Sequence, residues 1–358
     1  MTTTTTRISR NDAEGTHGLE TTGLEQFLTA HLSGFRGPLR VRQYEGGQSN
    51  PTYHVSSSGS DYVLRRKPPG KLLPSAHLIE REYRVLSALA DTDVPVPRPL
   101  LLCENPDVIG TAFYMMEHVP GRIFTEPRLP GLEPRERTAI YESMSDVLAR
   151  LHRVDWRRVG LSDYGRPGNY FGRQIRRWTE QYRASETETI PSMERLIEWL
   201  PQHIPEDDQT TIAHGDYRLA NLLVHPTEPR VVAVLDWELS TLGHPLADLA
   251  YSAMAYRLPK SLFDGLADAA LESLGIPSED AYVARYCRLM GGTDIPVWNF
   301  YLAFSLFRLA AILQGIMGRV LAGTAAAANA RERGALARPL ADVALAVATS
   351  GPALERHT

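Results

Sequence analysis

The densest group of residues able to do chemistry runs His214-Gly-Asp-Tyr-Arg-Leu-Ala-Asn221, followed by Val231-Val-Ala-Val-Leu-Asp-Trp-Glu238. Asp216 stands five residues before Asn221. At that spacing the carboxylate can accept a proton from a hydroxyl while the carboxamide offers an oxygen to a cation, the division of labour that phosphoryl transfer needs. Asp236 follows a β-branched, aliphatic run that predicts a buried strand. Its carboxylate therefore emerges at a strand end, suited to a hard Mg2+ ion with oxygen ligands. The plainer alternative is a loop in which Asp216 caps a turn and Asn221 starts a helix. The fixed His214-Gly215 pair and the strand-borne Asp236 argue against it.

Two further groups lie upstream. Glu45-Gly-Gly-Gln-Ser-Asn50 falls between two predicted strands. Gly46 and Gly47 let backbone N–H groups approach phosphates closely, and Ser49 adds a hydroxyl donor. The same Gly-Gly also fits an ordinary hairpin turn. No G-x-x-x-x-G-K-[ST] loop occurs, since Gly70-Lys71 is followed by Leu72, and no G-x-G-x-x-G fingerprint is present. Arg65, on the third predicted strand, supplies a cation for nucleotide phosphates, and Glu82, on the next helix, a carboxylate to orient it. Arg66 and Lys67 adjoin Arg65, and the strand alternation set by Tyr62-Val-Leu64 favours Arg65. Glu80 and Glu82 also suit a solvated helix face.

The elements that must position these groups follow from periodicity. Residues 1–20 are rich in Thr, Gly and charge, and predict a disordered leader. Leu24, Phe27, Leu28 and Leu32 predict a short amphipathic helix; Leu39–Tyr44, Thr52–Val55 and Asp61–Arg65 predict strands. Ser75 is the expected N-cap of a helix through Leu89, with Pro95, Pro97 and Pro99 beyond it. Phe113–Val119 has strand length and closes at Pro120-Gly121. Beyond it helical patterns dominate: one through Ile140–Leu151, one around Trp178 and Tyr182, and others near 246–256, 278–290, 295–321 and 335–349. The expected domains are a leader over 1–20, a β-rich lobe over 21–117, and a mainly helical lobe over 118–358 with a hinge near 118.

Composition narrows the function classes. The 358 residues are 43% hydrophobic and 22% charged, with a net charge of −4, so a basic footprint for nucleic acid is not expected. Cys103 and Cys287 are the two cysteines and form no C-x-x-C pair, which argues against a disulfide framework or a cysteine-held zinc and points to a cytoplasmic setting. The most apolar stretch, Phe300–Ala328, contains Arg308, Gln314 and Arg319. It reads as a buried helix with no membrane partner.

Taken together, Gly46-Gly-Gln-Ser-Asn50, Tyr62-Val-Leu-Arg65, Glu82, His214-Gly-Asp216, Asn221 and Asp236-Trp-Glu238 resemble the aminoglycoside phosphotransferase family over roughly residues 24–330. Arg65-Arg-Lys-Pro-Pro-Gly-Lys-Leu-Leu-Pro-Ser75 and Leu235–Gly243 are most similar to the branch found fused to acyl-CoA dehydrogenases. The resemblance implies an α+β, protein-kinase-like two-lobed fold and a small-molecule kinase using ATP and Mg2+. It implies Asp216 as catalytic base, Asn221 and Asp236 on the metal, and Arg65, held by Glu82, on the ATP phosphates. Gly46, Gly47 and Ser49 would cover those phosphates, and backbone groups of Glu117 to Val119 would face the adenine. Asp248 matches a family position that scaffolds the catalytic loop, although it also fits a plain helix-start carboxylate. The chain departs from the family where Arg65 replaces a common Lys, and where Ala220 and His244 stand at positions often acidic in the related branch. The branch suggests a small-molecule hydroxyl acceptor such as a hydroxyacyl-CoA or hydroxy acid, with Arg122, Arg128, Arg173, Arg176 and Arg177 as positive charge for CoA phosphates or as solvated helix faces. An aminoglycoside acceptor and a non-catalytic nucleotide-binding scaffold are the alternatives. The oligomeric state stays open.

Overall fold

The computed structural model describes residues 19, 21–44, 50–68, 78–292, 294–325 and 327–350. In chain order these form α1 (Thr21–His31), β1 (Arg40–Gln43), β2 (Thr52–Ser57), β3 (Ser60–Arg66), α2 (Ile79–Leu89), β4 (Pro99–Cys103), β5 (Phe113–Glu117) and β6 (Arg122–Ile123). Then come α3 (Pro134–Arg153), α4 (Tyr170–Ala184), α5 (Pro191–Gln202), β7 (Thr211–Ala213), β8 (Leu222–Val224), β9 (Val231–Val234) and β10 (Thr241–Gly243). The chain continues through α6 (Pro245–Ala253), α7 (Leu271–Leu274), α8 (Glu279–Leu289), α9 (Trp298–Leu321), α10 (Ala330–Ala335) and α11 (Ala337–Thr349).

These elements group into two compact units. The first takes Met1–Thr125, Arg157–Leu161 and Leu219–Ser240; the second takes Glu126–Trp156, Ser162–Arg218 and Thr241–Thr358. The boundary expected after residue 117 assigns 219–240 to the helical part; in the structure that segment groups with the first unit.

The first unit is built on an antiparallel sheet in the order β1-β2-β3-β5-β4. Because strand side chains alternate, one face of this sheet carries Tyr53, Val55, Leu64, Phe113 and Met115, which bury against Leu24 and Leu28 of α1 and against Phe35. The other face carries Thr52 opposite Arg65 and Arg65 opposite Tyr114. Val85, Leu86 and Leu89 of α2 are buried. The expected cap of this helix, Ser75, lies outside the described residues; α2 is described from Ile79, preceded by Leu78, which makes no side-chain cap. A second sheet, β6-β8-β9, completes the unit. The Val234 N–H donates to the Pro95 carbonyl at 2.8 Å, tying β9 to the proline segment after α2.

The second unit is helical apart from the antiparallel pair β7–β10. Its helix α3 starts at a capping box, with Glu133 and Glu136 each bonded to the other's backbone and Pro134 in the first turn. Helix α9 has the length and apolarity to cross a membrane, yet 78% of its apolar window is buried inside the fold. Arg308 is accommodated there by stacking, its guanidinium 5.3 Å from the Trp178 ring centroid and 5.2 Å from that of Tyr251.

Candidate active site

In the first unit, Arg65, Glu82 and Asp236 meet in one ion-paired cluster. Arg65 Nε lies 3.2 Å from Glu82 Oε2, its Nη2 lies 3.0 Å from Asp236 Oδ1, and Glu238 Oε2 follows at 3.8 Å. Strand alternation turns Arg66 away from Arg65, and an ion pair occupies Lys67. Arg66 points to the other face, 5.3 Å from the Tyr53 ring centroid, and Lys67 pairs with Glu80. Glu82 is 2% exposed, and two further donors hold it: Asn50 Nδ2 at 2.7 Å from Oε1 and the Tyr114 hydroxyl at 3.1 Å from Oε2. Burial pushes the Glu82 carboxyl up to about 7, against the opposing pull of Arg65. Burial and the adjacent Glu82 raise Tyr114 well above the ordinary phenol range, keeping its hydroxyl a donor. Tyr114 carries part of this arrangement without standing out in the sequence as a site residue, while Asn50 and Glu238 stand in the motifs quoted above without a role of their own being read there. The available signals were alternation along β5 and the D-W-E spacing after β9.

Asn221 and Asp236 flank the β8–β9 hairpin. Leu222 pairs with Val234, and the Leu235 N–H donates to the Asn221 carbonyl at 2.8 Å, so the residues before β8 and after β9 run side by side. Asn221 is buried and ends a short 3-10 turn, Leu219–Asn221. Asp236 adopts a left-handed conformation, φ 66° and ψ 65°, which costs a non-glycine residue about 1–2 kcal/mol and persists where surrounding contacts over-determine it. Trp237 supplies one such contact, its indole Nε1 donating to the Val234 carbonyl at 3.0 Å.

Asp216 belongs to the second unit, in the loop leaving β7. The His214 and Gly215 N–H groups donate to the two oxygens of Asp248, at 2.6 and 2.8 Å, so one buried carboxylate from α6 clamps the loop. His152 Nε2 lies 3.4 Å from the same carboxylate, and the His152 Nδ1 contacts the Tyr286 hydroxyl at 2.6 Å. Burial acts to raise the Asp248 carboxyl, but the bond from His152, the charges of His152 and His214 and the Gly215 N–H outweigh it and hold it below its ordinary value. Gly215 has φ 84°, which explains the glycine beside the aspartate. Tyr217 anchors the loop from below, its hydroxyl donating to the Met144 carbonyl at 2.8 Å. Asp216 itself contacts Arg218 Nε at 3.3 Å and the hydroxyl of Tyr251, which burial and Asp216 push above its ordinary range.

Glu117 ends β5, opposite Tyr62, and its N–H donates to the Arg98 carbonyl at 2.9 Å; Val119 lies half-buried two residues on. Gly46, Gly47 and Ser49 lie outside the described residues. Several of the arginines weighed for acceptor binding tie down backbone instead. Arg122 donates to the His225 and Glu228 carbonyls, Arg128 to that of Gly265, and Arg173 to those of Gly168 and Arg166.

The fold and these two clusters define the class. A family profile described as the phosphotransferase enzyme family matches residues 40–282, and the chain belongs to that family. Its fold is α+β and protein-kinase-like. Particular relatives are equally plain. A solved structure from Ralstonia eutropha JMP134, provisionally named an aminoglycoside phosphotransferase, is 53% identical, with a TM-score of 0.85 over 92% of this chain and 98% of that one. Acyl-CoA dehydrogenase family member 10 of Mus musculus is 51% identical over 329 residues, which are 91% of this chain and 31% of the mouse protein; the chain thus spans about a third of that curated relative's length. A thermostable variant of the aminoglycoside phosphotransferase APH(4)-Ia, solved with AMP-PNP and hygromycin B, shares the fold at 16% identity and a TM-score of 0.61, covering 92% of this chain and 100% of that one.

Proposed function

We propose that this chain is an ATP- and Mg2+-dependent small-molecule kinase that transfers the γ-phosphoryl group to an acceptor hydroxyl. The observation that carries the reading is Arg65, fixed by the buried Glu82 and within hydrogen-bond reach of Asp236. A cation for the nucleotide phosphates is thereby held beside the carboxylate suited to a metal. The Asp236 carboxylate and Asn221 carboxamide oxygens are the donor type a small hard cation prefers. Bound there, Mg2+ would neutralise charge on the phosphate oxygens. Arg65 pairs with the phosphates, and Gly46, Gly47 and Ser49 cover them. The backbone from Glu117 to Val119 faces the base. Asp216 accepts the hydroxyl proton as the acceptor oxygen bonds to phosphorus and the bond to the ADP leaving group breaks.

The favoured acceptor is a hydroxyacyl-CoA or a hydroxy acid. Support comes from the relatedness to a protein named as an acyl-CoA dehydrogenase family member, over the part of it that this chain matches. The setting we favour is cytoplasmic, in keeping with two buried free cysteines. A phosphotransfer screen tests both reaction and acceptor. Purified protein, Mg-ATP and a panel of hydroxyacyl-CoAs, hydroxy acids and aminoglycosides are compared with the Asp216→Ala variant by mass spectrometry. The expected result is a gain of one phosphoryl group on a hydroxyacyl compound, absent with the variant. Phosphorylated aminoglycoside would overturn the acceptor, and equal transfer by the variant would overturn the role of Asp216.

A further inference from the structure

A second group of ligating side chains lies on the sheet of the first unit, away from Arg65. His54 of β2, Asp61 of β3 and His118, just past β5, bring one donor atom each to within 4.8 Å of one another. His54 Nε2 is already 3.1 Å from Asp61 Oδ1, and the His54 and His118 rings meet edge to face with centroids 5.0 Å apart. Register explains the convergence. His54 pairs with Val63, Val63 with Met116, and Arg65 with both Thr52 and Tyr114. Counting by twos along each strand puts His54, Asp61 and His118 on the face that carries Arg65, toward the opposite end of the strands. Three different segments thus contribute to one spot, which sequence spacing alone does not suggest.

We propose that His54, Asp61 and His118 form a binding site for a borderline-soft divalent transition ion of the Zn2+ class. Two imidazoles and one carboxylate are a common zinc donor set, with a fourth position left for water or an exogenous donor. Mg2+ is a poor match, because it favours oxygen ligands in octahedral array. Tetrahedral bonds of about 2.1 Å place donors about 3.4 Å apart, so the His54–Asp61 pair is close to ligating separation, and His118, whose donor lies within 4.8 Å of both, needs only a small side-chain adjustment. Asp61 is 54% exposed and His54 15% exposed, so the site is open to an entering ion while one ligand is held by packing. The Tyr44 ring, its centroid 6.3 Å from that of His54, lines the site. Arg42, which pairs with His54 across β1 and β2, is the opposing charge and limits the affinity.

The test uses the full chain, stripped with chelator and titrated with Zn2+ alone by equilibrium dialysis and elemental analysis. One Zn2+ per chain is expected, with affinity falling at least tenfold in His54→Gln and in His118→Ala, and a smaller loss in Asp61→Asn. Co2+ replacing Zn2+ is expected to give the intense visible absorption of a four-coordinate site, lost in the same variants, while millimolar Mg2+ displaces neither ion. Circular dichroism of the metal-free variants checks that each is folded, and the His54→Gln and His118→Ala variants provide separate routes to the answer. The chain holds eleven histidines. Uptake unchanged in a variant carrying both His54→Gln and His118→Ala would therefore assign binding elsewhere and overturn the proposal, as would no stoichiometric uptake, which would leave His54–Asp61 a plain ion pair. Displacement by Mg2+ would equally overturn it.

Discussion

At Asp248 a single carboxylate accepts from two consecutive backbone N–H groups and contacts a buried imidazole. Replacing it by Asn leaves one of the two N–H groups facing an amide donor, at a cost of about 1–3 kcal/mol for the lost buried bond. The charge also carries a pH signature. The folded-state carboxyl titrates below its ordinary value of 3.8, so between the two values the unfolded chain binds more protons and stability rises with pH. The stabilisation is therefore full above the ordinary carboxylate range and is lost as pH falls through the folded-state value. Chemical denaturation of the wild type and of Asp248→Asn should give a stability gap that is constant from pH 5 to 7 and narrows below about pH 4. A gap that widened on acidification would contradict the assignment. Asp216, Asn221 and Asp236 are legible as candidates at this scale because the first two lie five residues apart and the third ends a β-branched run. The contacts of Asn50, Tyr114 and Glu238 are not legible there, because their partners lie 32 residues or more away and only the folded chain brings them together.

Among the elements, the hairpin β8–β9 and the short strand β6 show how backbone approach replaces side-chain packing. Gly121, directly before β6, has no room for a side chain: a Cβ there would sit 2.4 Å from Leu223 Cγ and 2.7 Å from the Val224 carbonyl oxygen. Gly121→Ala should therefore separate β6 from β8 and destabilise the first unit by about 1–3 kcal/mol, the usual range for overpacking. A lowered thermal midpoint is the readout, and an unchanged one would show that β6 shifts freely. The helices α3, α8 and α11 were read correctly from their helical patterns, α9 from its apolar run, and β2 and β3 from alternation. Helix α5 escaped notice because Pro191 and Pro201 look like breakers; the first sits in the first turn, where proline is tolerated, and the second near the end. Strands β7 and β10 are three residues each, too short for a period of two to register.

For the whole molecule, the division of the chain is also a division of proposed roles. Arg65, Glu82, Asn221 and Asp236 belong to the first unit, which includes residues 219–240, while Asp216 belongs to the second. A boundary drawn along the sequence misses this, since the chain returns to the first unit twice after leaving it, at Arg157–Leu161 and again at Leu219–Ser240, where β8 pairs with β6. The proposed function consequently separates nucleotide binding from phosphoryl transfer by residue. In that proposal Asp236 and Arg65 serve the metal–nucleotide complex, whereas Asp216 serves the acceptor hydroxyl. The most direct measurement is Mg-ATP binding by isothermal titration calorimetry for the wild type, Asp216→Asn and Asp236→Asn, each checked for folding by circular dichroism. The prediction is a Kd within about twofold of wild type for Asp216→Asn and at least tenfold weaker for Asp236→Asn, a difference of about 1.4 kcal/mol or more. Equal binding by Asp236→Asn and wild type, or loss of binding on changing Asp216, would contradict the proposed division of labour.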